Sequence, residues 1–227
     1  MCGRYGLAIS NPADLQPRFQ VEGLPEPVEP RYNAAPGQVL PVVTRNSPNQ
    51  LRRMVWGLIP FWAKDDPNKY KMINARAEGI ETKASFKRPL RSQRCLVPAT
   101  GFYEWDKSVK PSVPYYFTVP DSPIFAFAGL YDRWKDPASG EDVYTYTIIT
   151  TEANEVVAPV HNRMPVILLP EDEDRWLDPD ETEPLHLLPL LKPFPAERMR
   201  AHVVGRGVNN VKLDEPSLIE PLKLNSA

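Results

Sequence analysis

Proline is the feature of this sequence that most limits its fold. The chain carries 27 prolines in 227 residues, which is more than twice the usual share of about 5%. Proline has no N–H to donate to a sheet ladder and disrupts the interior of a helix. We therefore predict many short elements joined by rigid turns, rather than a few long helices.

Runs of β-branched and aromatic residues, which favour strands, predict ten strands at residues 4–9, 39–44, 51–57, 94–97, 101–105, 114–119, 124–133, 143–151, 165–169 and 201–205. Helix signals predict short helices from 12 to about 20, 77–84, 152–158 and 171–177, and short helices or turns at 184–191 and 195–199. Residues 22–30 and 31–37 are predicted to be loop, and 46–49 a hairpin turn.

No repeat or linker divides the chain. We predict a single α+β domain over residues 1–227. It is built on a curled, largely antiparallel, barrel-like β-sheet with short peripheral helices.

Composition excludes several classes of protein. No apolar run approaches the ~20 residues of a membrane span, and the sequence has no signal-peptide pattern, so we expect a cytoplasmic monomer without membrane contact. Two cysteines and three histidines lack metal-ligand spacing and predict neither a disulfide nor a metal site. No cofactor is indicated, and Cys95 is predicted to be a buried strand residue.

Charge is unevenly distributed. The formal net charge is −2, but residues 171–183 hold eight acidic residues and one arginine, a net of −7, so the remaining chain carries +5. The overall balance argues against a generally basic coat for nucleic acid. We interpret the acidic run as a solvated face.

Cys2 directly follows the initiator methionine. Once Met1 is removed, Cys2 carries a thiol and a free α-amine on adjacent carbons, with ordinary pKa values of about 8.5 and about 7.7–8.0. Such an aminothiol condenses with an aldehyde, first to an imine and then to a five-membered thiazolidine ring. The alternative is a small residue at a frayed chain end, and position alone leaves both interpretations open.

Two other stretches combine polar side chains with an apolar setting. Asn74 and Arg76 alternate with Ile73 and Ala75, so both can face one cavity, where arginine suits phosphate; the alternative is a helix-capping asparagine and a surface arginine. Glu104 lies between two aromatic residues. If it is buried there, desolvation suits it to act as a general acid; if strand alternation turns it outward, it is a surface carboxylate.

His161 and the aromatic pair Phe61–Trp62 complete the candidates. Histidine titrates near neutral pH and can move a proton, although a lone histidine also serves as a structural residue. Exposed aromatic rings beside arginines suit stacking on bases. Trp56, five residues before Phe61, is predicted to be core.

Six motifs together closely resemble those of the SRAP family, the "SOS response-associated peptidase" proteins. The motifs are CGRY (2–5), RYNAAP (31–36), WGLIP (56–60), INARAE (73–78), GFYEW (101–105) and HNRMP (161–165). The resemblance extends to GVNNVK (207–212) and so covers nearly the whole chain.

The resemblance implies a DNA damage response protein that senses abasic sites in single-stranded DNA and shields them. Cys2, exposed by removal of Met1, would form a covalent thiazolidine crosslink with the ring-opened sugar. Asn74 would hydrogen-bond near the linkage, and Glu104 would assist ring opening and proton transfer. His161 would be the second acid/base and support reversal of the crosslink. The enzyme class that the resemblance implies is a DNA–protein crosslinking, lyase-like activity on abasic sites.

The resemblance also implies a DNA-binding set. Arg4, Arg76 and Arg163 would contact flanking phosphates, and Pro36 and Thr150 would line the site. Phe61 and Trp62 match an aromatic wedge that stacks at a junction of single- and double-stranded DNA; some family members have two tryptophans there, and Phe61 departs from that pattern. The protein would be nucleoid-associated when bound.

Two alternatives stay open at this point. The first is an autoprocessing cysteine peptidase, a hydrolase that removes its own N-terminal extension with the same Cys2. Since only Met1 precedes Cys2 in this sequence, little remains for such a peptidase to remove. The second is a non-covalent module that binds single-stranded DNA and does not need Cys2.

Overall fold

A computed structural model of the chain describes residues 2–22, 28–45, 49–64 and 69–222. Within these ranges the strands are β1 Tyr5–Leu7, β2 Arg31–Ala34, β3 Val39–Arg45, β4 Asn49–Trp56, β5 Asn74–Arg76, β6 Arg94–Ala99, β7 Gly101–Asp106, β8 Val113–Thr118, β9 Phe125–Lys135, β10 Asp142–Glu152, β11 Arg163–Pro165 and β12 Arg200–Val203. The α-helices are α1 Leu15–Phe19, α2 Lys87–Ser92, α3 Pro170–Leu177 and α4 Pro184–Leu187. The longest has eight residues, as the proline content predicts.

Five strands close into a barrel. In the larger sheet β10, β4, β3, β6 and β9 are neighbours in that order, and β9 pairs with β10 to complete the ring. The pairings are antiparallel except that of β10 with β4, where Thr145 lies opposite Val55 and Tyr146 opposite Trp56. The prediction of an α+β protein built on a curled, largely antiparallel sheet is confirmed.

Strand β10 extends beyond the barrel, and two short strands pair with its C-terminal part. Beyond its contact with β4 it pairs with β5, with Thr150 opposite Arg76. On its other side it pairs with β11, with Thr150 opposite Pro165. The segments around Asn74 and His161, far apart in sequence, are thereby brought to neighbouring edges of one strand.

The second sheet has the order β12-β8-β7-β1-β2 and shares an apolar core with the barrel. The Tyr5 ring of β1 lies 5.2 Å from Trp56 of β4 and 5.8 Å from Phe127 of β9, measured between ring centroids. The Tyr5 hydroxyl shares a hydrogen bond of 2.9 Å with the Tyr146 hydroxyl. The start of the chain is therefore anchored in the core and is not a frayed end.

Several sequence predictions are confirmed locally. Trp56 and Cys95 are fully buried. Asn11 caps a 3-10 turn at Pro12–Asp14 that leads into α1, and the helix ends before Gln20, which has a left-handed conformation. Helix α3 covers the predicted 171–177. Most of the predicted hairpin turn lies at residues 46–48, outside the described residues.

The helix predicted at 77–84 is wrong. Residues 74–76 are strand β5, and 78–82 form turns in which Gly79 has a φ of 68°. The helix of this region is α2 at Lys87–Ser92. Pro89 falls in its first turn, where a missing N–H costs no hydrogen bond.

Three further predictions need correction. The helix predicted at 152–158 is a turn, since the Asn154 side chain accepts the N–H groups of Val156 and Val157. The loop predicted at 31–37 contains strand β2. The strand predicted at 165–169 is wrong except for Pro165: β11 is Arg163–Pro165, and beyond it only Ile167 forms an isolated bridge, to Phe127.

The acidic run at 171–183 is not wholly a solvated face. The Glu173 carboxylate is buried and accepts two hydrogen bonds from the Arg18 guanidinium, at 2.7 and 2.6 Å. A buried carboxylate requires such a partner.

The helices of the described ranges are all too short or too polar to span a bilayer.

Candidate functional site

Cys2 lies three residues before β1, in the segment that continues the pairing of β1 with β7. The Tyr103 N–H donates to the Arg4 carbonyl oxygen at 3.0 Å, and the Cys2 Sγ lies 3.8 Å from the same oxygen. Antiparallel pairing continued in this register places Gly3 beside Glu104. The thiol and the carboxyl therefore lie at one end of the β1–β7 ladder.

Burial sets the state of the Cys2 thiol. The side chain is fully buried, and burial, reinforced by the negative charge of Glu104, raises the pKa of the thiol. The thiol is therefore neutral at neutral pH. A neutral thiol is a weak nucleophile.

Glu104 is buried in β7 with 3% of its surface exposed. Of the two interpretations that the sequence left open, the structure selects the buried carboxyl and not the surface one. The neighbouring positions 101–103 are buried as well, so strand alternation does not turn the carboxyl to solvent because both faces of this part of β7 are covered. Its role as an acid stays a prediction.

Asn74 is the first residue of β5, so the interpretation as a helix cap is wrong. Its Nδ2 lies 3.5 Å from the Ile148 carbonyl oxygen. Its Oδ1 is buried and has no hydrogen-bond partner among the described residues. A buried amide oxygen of this kind is available as an acceptor for a bound molecule.

His161 is held by the backbone of Arg163. The Arg163 N–H donates to His161 Nδ1 at 3.0 Å, and the Arg163 carbonyl oxygen lies 3.2 Å from the same nitrogen. These contacts fix the orientation of the imidazole ring, and its role as an acid/base stays a prediction.

One apolar cluster contains Cys2 and residues close in sequence to Asn74 and His161. It includes Ile148 of β10 and Val157 of the turn before His161, and Ile73 packs against it beside Asn74. The charge of Glu104 acts on the Cys2 thiol; that Asn74 and His161 act with them stays a prediction.

The predicted phosphate-binding arginines differ in exposure and in how many hydrogen bonds they already form with other protein groups. Arg76 is exposed. Arg163 is held by two hydrogen bonds to the Glu78 carboxylate, at 2.7 and 2.9 Å, and by one to the Thr150 carbonyl at 2.6 Å. The Arg163 guanidinium lowers the pKa of Glu78. Glu78, which the sequence analysis did not single out, therefore already occupies part of the Arg163 guanidinium, and phosphate contact by Arg163 stays a prediction.

Arg4 is held by the chain's C-terminal part. One of its terminal nitrogens donates to Asn33 Oδ1 and to the Val208 carbonyl, both at 2.7 Å. Buried Asn33 donates in turn to the Leu213 carbonyl at 2.7 Å. Asn33 was missed as a site residue, although it lies in the RYNAAP motif; it links that motif to GVNNVK. Phosphate contact by Arg4 stays a prediction.

Pro36 and the aromatic pair are exposed. Pro36 is in the turn after β2, where Gly37 has a φ of 85° and donates its N–H to the Trp56 carbonyl. Phe61 and Trp62 expose 50% and 39% of their surface. The Trp62 ring packs edge-on against the Tyr70 ring, with the two centroids 5.5 Å apart.

The two sheets enclose one apolar core, and the Cys2 thiol and the Glu104 carboxyl are both buried. Fold and site together define an α+β barrel protein with a buried thiol–carboxyl pair near its N-terminus. The family model for SOS response associated peptidase (SRAP) matches residues 1–211. The chain belongs to the SRAP family.

Relatives and solved structures agree with this membership. The chain is 46% identical over 224 residues to "Abasic site processing protein YoqW" of Bacillus subtilis, covering 97% of this chain and 99% of the relative. It is 34% identical to "Abasic site processing protein HMCES" of Gallus gallus, covering 92% and 70%. A crystal structure of a protein from Bacteroides thetaiotaomicron superposes with a TM-score of 0.87 at 30% identity, covering 97% and 99%.

Proposed function

We propose that this protein processes abasic sites in single-stranded DNA by forming a covalent thiazolidine crosslink through Cys2. The observation that carries the proposal is the burial of the Cys2 thiol beside the Glu104 carboxyl. The names of its relatives, abasic site processing proteins, supply the substrate class. A crosslinked site is shielded until it is repaired.

The reaction requires removal of Met1, which lies outside the described residues. The abasic sugar opens from its ring form to the C1′ aldehyde, and the Cys2 amine adds to C1′ and loses water to give an imine. The Cys2 sulfur then adds to C1′, and its proton passes to the nitrogen, which closes the thiazolidine ring. The raised pKa of the thiol supports this order, with the amine first and sulfur second.

The neighbouring groups have separate tasks in this scheme. Glu104 transfers the protons that ring opening and loss of water require. The buried Asn74 Oδ1 accepts a hydrogen bond from a sugar hydroxyl or from the thiazolidine N–H. His161 is the second acid/base and assists reversal, and its contacts with the Arg163 backbone orient the ring for this task.

Strand binding uses the arginines and aromatic rings around this centre. Arg76 contacts phosphate directly, whereas Arg163 exchanges its contact with Glu78 for one with phosphate, and Arg4 uses N–H groups not bonded to Asn33. Pro36 and Thr150 line the site. Phe61 and Trp62 stack at a junction with duplex DNA. Affinity therefore falls as salt rises.

The test is to incubate the protein with single-stranded DNA that bears one abasic site and to denature the mixture before electrophoresis. We expect a band of protein covalently joined to DNA, and none with the same strand lacking the abasic site. No adduct on the abasic strand would overturn the proposal. Salt-sensitive binding without any adduct would support the non-covalent module instead.

Glu104→Gln is expected to slow adduct formation by roughly 10²–10⁴-fold, the usual contribution of a general acid, with DNA affinity unchanged. Glutamine keeps the size and polarity of the side chain but cannot transfer a proton. The measurement is the rate of adduct formation beside binding of undamaged DNA. An unchanged rate would contradict the role of acid, and a thermal unfolding curve shows whether the variant is folded.

A further inference from the structure

The Arg4 guanidinium lies in a socket formed by three parts of the chain that are far apart in sequence. Its Nη1 donates to Asn33 Oδ1 of β2 and to the Val208 carbonyl oxygen, both at 2.7 Å. Its Cζ stands over the Trp105 ring of β7, 5.9 Å from the ring centroid. The Trp105 Nε1–H donates to Asn209 Oδ1 at 2.7 Å, which fixes the ring. We call these groups the Arg4 socket.

Asn33 is the most constrained part of the Arg4 socket. Its side chain is buried, with 1% of its surface exposed. Its Nδ2 donates to the carbonyl oxygens of Asn210 at 3.1 Å and Leu213 at 2.7 Å, so the amide oxygen is the end that faces Arg4. Its backbone N–H donates to Asp214 Oδ1 at 3.0 Å. The Asn33 side chain therefore cannot turn away from Arg4 without leaving buried groups unpaired.

The socket leaves one nitrogen of the Arg4 guanidinium open to a ligand. Nη1 already forms two hydrogen bonds, and Nε is shielded from solvent without a hydrogen-bond partner. Among the described residues Nη2 has no hydrogen-bond partner either, but it is not shielded. A bound anion would therefore meet the Arg4 guanidinium at Nη2, in an orientation that the protein sets beforehand.

Arg4 belongs to the same short segment as Cys2. The two residues are two positions apart, so their Cα atoms are separated by at most about 7 Å. The Arg4 carbonyl oxygen accepts the Tyr103 N–H at 3.0 Å, and Glu104 follows Tyr103 in β7. Both the backbone and the side chain of Arg4 are thus fixed to the protein close to the thiol and the carboxyl.

We propose that Asn33 is a positioning residue for strand binding, which holds Arg4 so that Nη2 is presented to one DNA phosphate near Cys2. A long side chain that is free in solution loses rotamer freedom when it binds a ligand. In the Arg4 socket this ordering already occurs on folding, so that strand binding loses less entropy. The inference rests on the proposed function, because it requires Arg4 to contact the DNA backbone.

The test is a double-mutant cycle of Asn33→Ala and Arg4→Gln, with binding to undamaged single-stranded DNA measured by fluorescence anisotropy against salt. We expect Asn33→Ala to weaken binding about three- to tenfold, the range for ordering one long side chain. Its salt slope should stay unchanged because the charge of Arg4 remains, whereas Arg4→Gln should reduce the slope by about 0.7. With Arg4→Gln present, Asn33→Ala should change the affinity by less than about twofold. A merely structural role of Asn33 would give the same loss in both backgrounds.

The matched control is Asp214→Ala. Asp214 accepts the N–H groups of Tyr32 and Asn33 at 2.6 and 3.0 Å, so its loss loosens the same junction without removing a contact of Arg4, and binding should not weaken.

Thermal unfolding shows whether each variant is folded, and Asn33→Ser, which keeps a hydroxyl, replaces the alanine variant in the cycle if that one is unfolded. The inference is overturned by unchanged binding in the Asn33 variant, by equal losses in both backgrounds, by unchanged binding in Arg4→Gln, or by an equal loss in the control. Because anisotropy needs no crosslink, absence of an adduct from the unmodified protein would count against the proposed crosslink alone.

Discussion

Replacing Cys2 by alanine is expected to abolish the covalent adduct with abasic single-stranded DNA while leaving non-covalent DNA binding intact. In the proposed reaction the sulfur closes the thiazolidine ring, and without the sulfur that reaction would end at a hydrolysable imine. Alanine removes only one heavy atom from a buried position, so the fold should persist. The measurement is the fraction of DNA that remains attached to protein after denaturation.

Cys95→Ala is the matched control for this variant. Cys95 is also buried and unpaired, and burial also raises the pKa of its thiol, but it lies in β6, inside the barrel. Its replacement should leave adduct formation unchanged. An undiminished adduct from Cys2→Ala would remove Cys2 from the mechanism, and cleavage of a peptide that depends on Cys2 would favour the peptidase alternative.

The second large effect is expected from blocking the Cys2 amine. A chain in which a residue or tag precedes Cys2 retains the thiol but has an amide nitrogen in place of the amine, and an amide does not form an imine. We expect adduct formation to fall by roughly a hundredfold or more, because the thiol loses the tethered partner that brings C1′ to it.

The comparison needs one preparation in two forms. A removable N-terminal tag ending directly before Cys2 gives the blocked chain, and its cleavage gives the free Cys2 amine, with mass spectrometry to verify each form. Adduct formation by the cleaved form alone would agree with the proposed order of steps. Equal adduct from both forms would show that sulfur acts without the amine.

Local sequence patterns predicted most strands, because β-branched and aromatic runs are strand signals wherever they occur. The pattern at 143–151 corresponds to β10, and the one at 124–133 to β9. These sequence patterns gave wrong predictions where tertiary contacts determine the secondary structure. Residues 74–76 form β5 only because β10 offers its edge, and the turn after it prevents the helix predicted there.

For the candidate site, too, the sequence predicted one part and the tertiary structure determined the other. The motif that contains Cys2 identified the aminothiol, and the motifs around Asn74, Glu104 and His161 identified candidate partners. Their environments could not be predicted from the sequence alone. Arg163 and Glu78 are 85 residues apart in sequence, and Phe61 and Asp132 are 71 apart. A local sequence pattern therefore predicts neither contact.

The sequence by itself determined three things: an α+β fold made of short elements, the family, and the aminothiol chemistry available to Cys2. All three depend on residue types and their order. Only the tertiary structure decided that Glu104 is buried, that the Cys2 thiol is neutral, and that Asn33 holds Arg4. Burial and charge pairing depend on which distant strands close the barrel. Desolvation, which raises the pKa of Cys2, exists only once both sheets enclose the start of the chain.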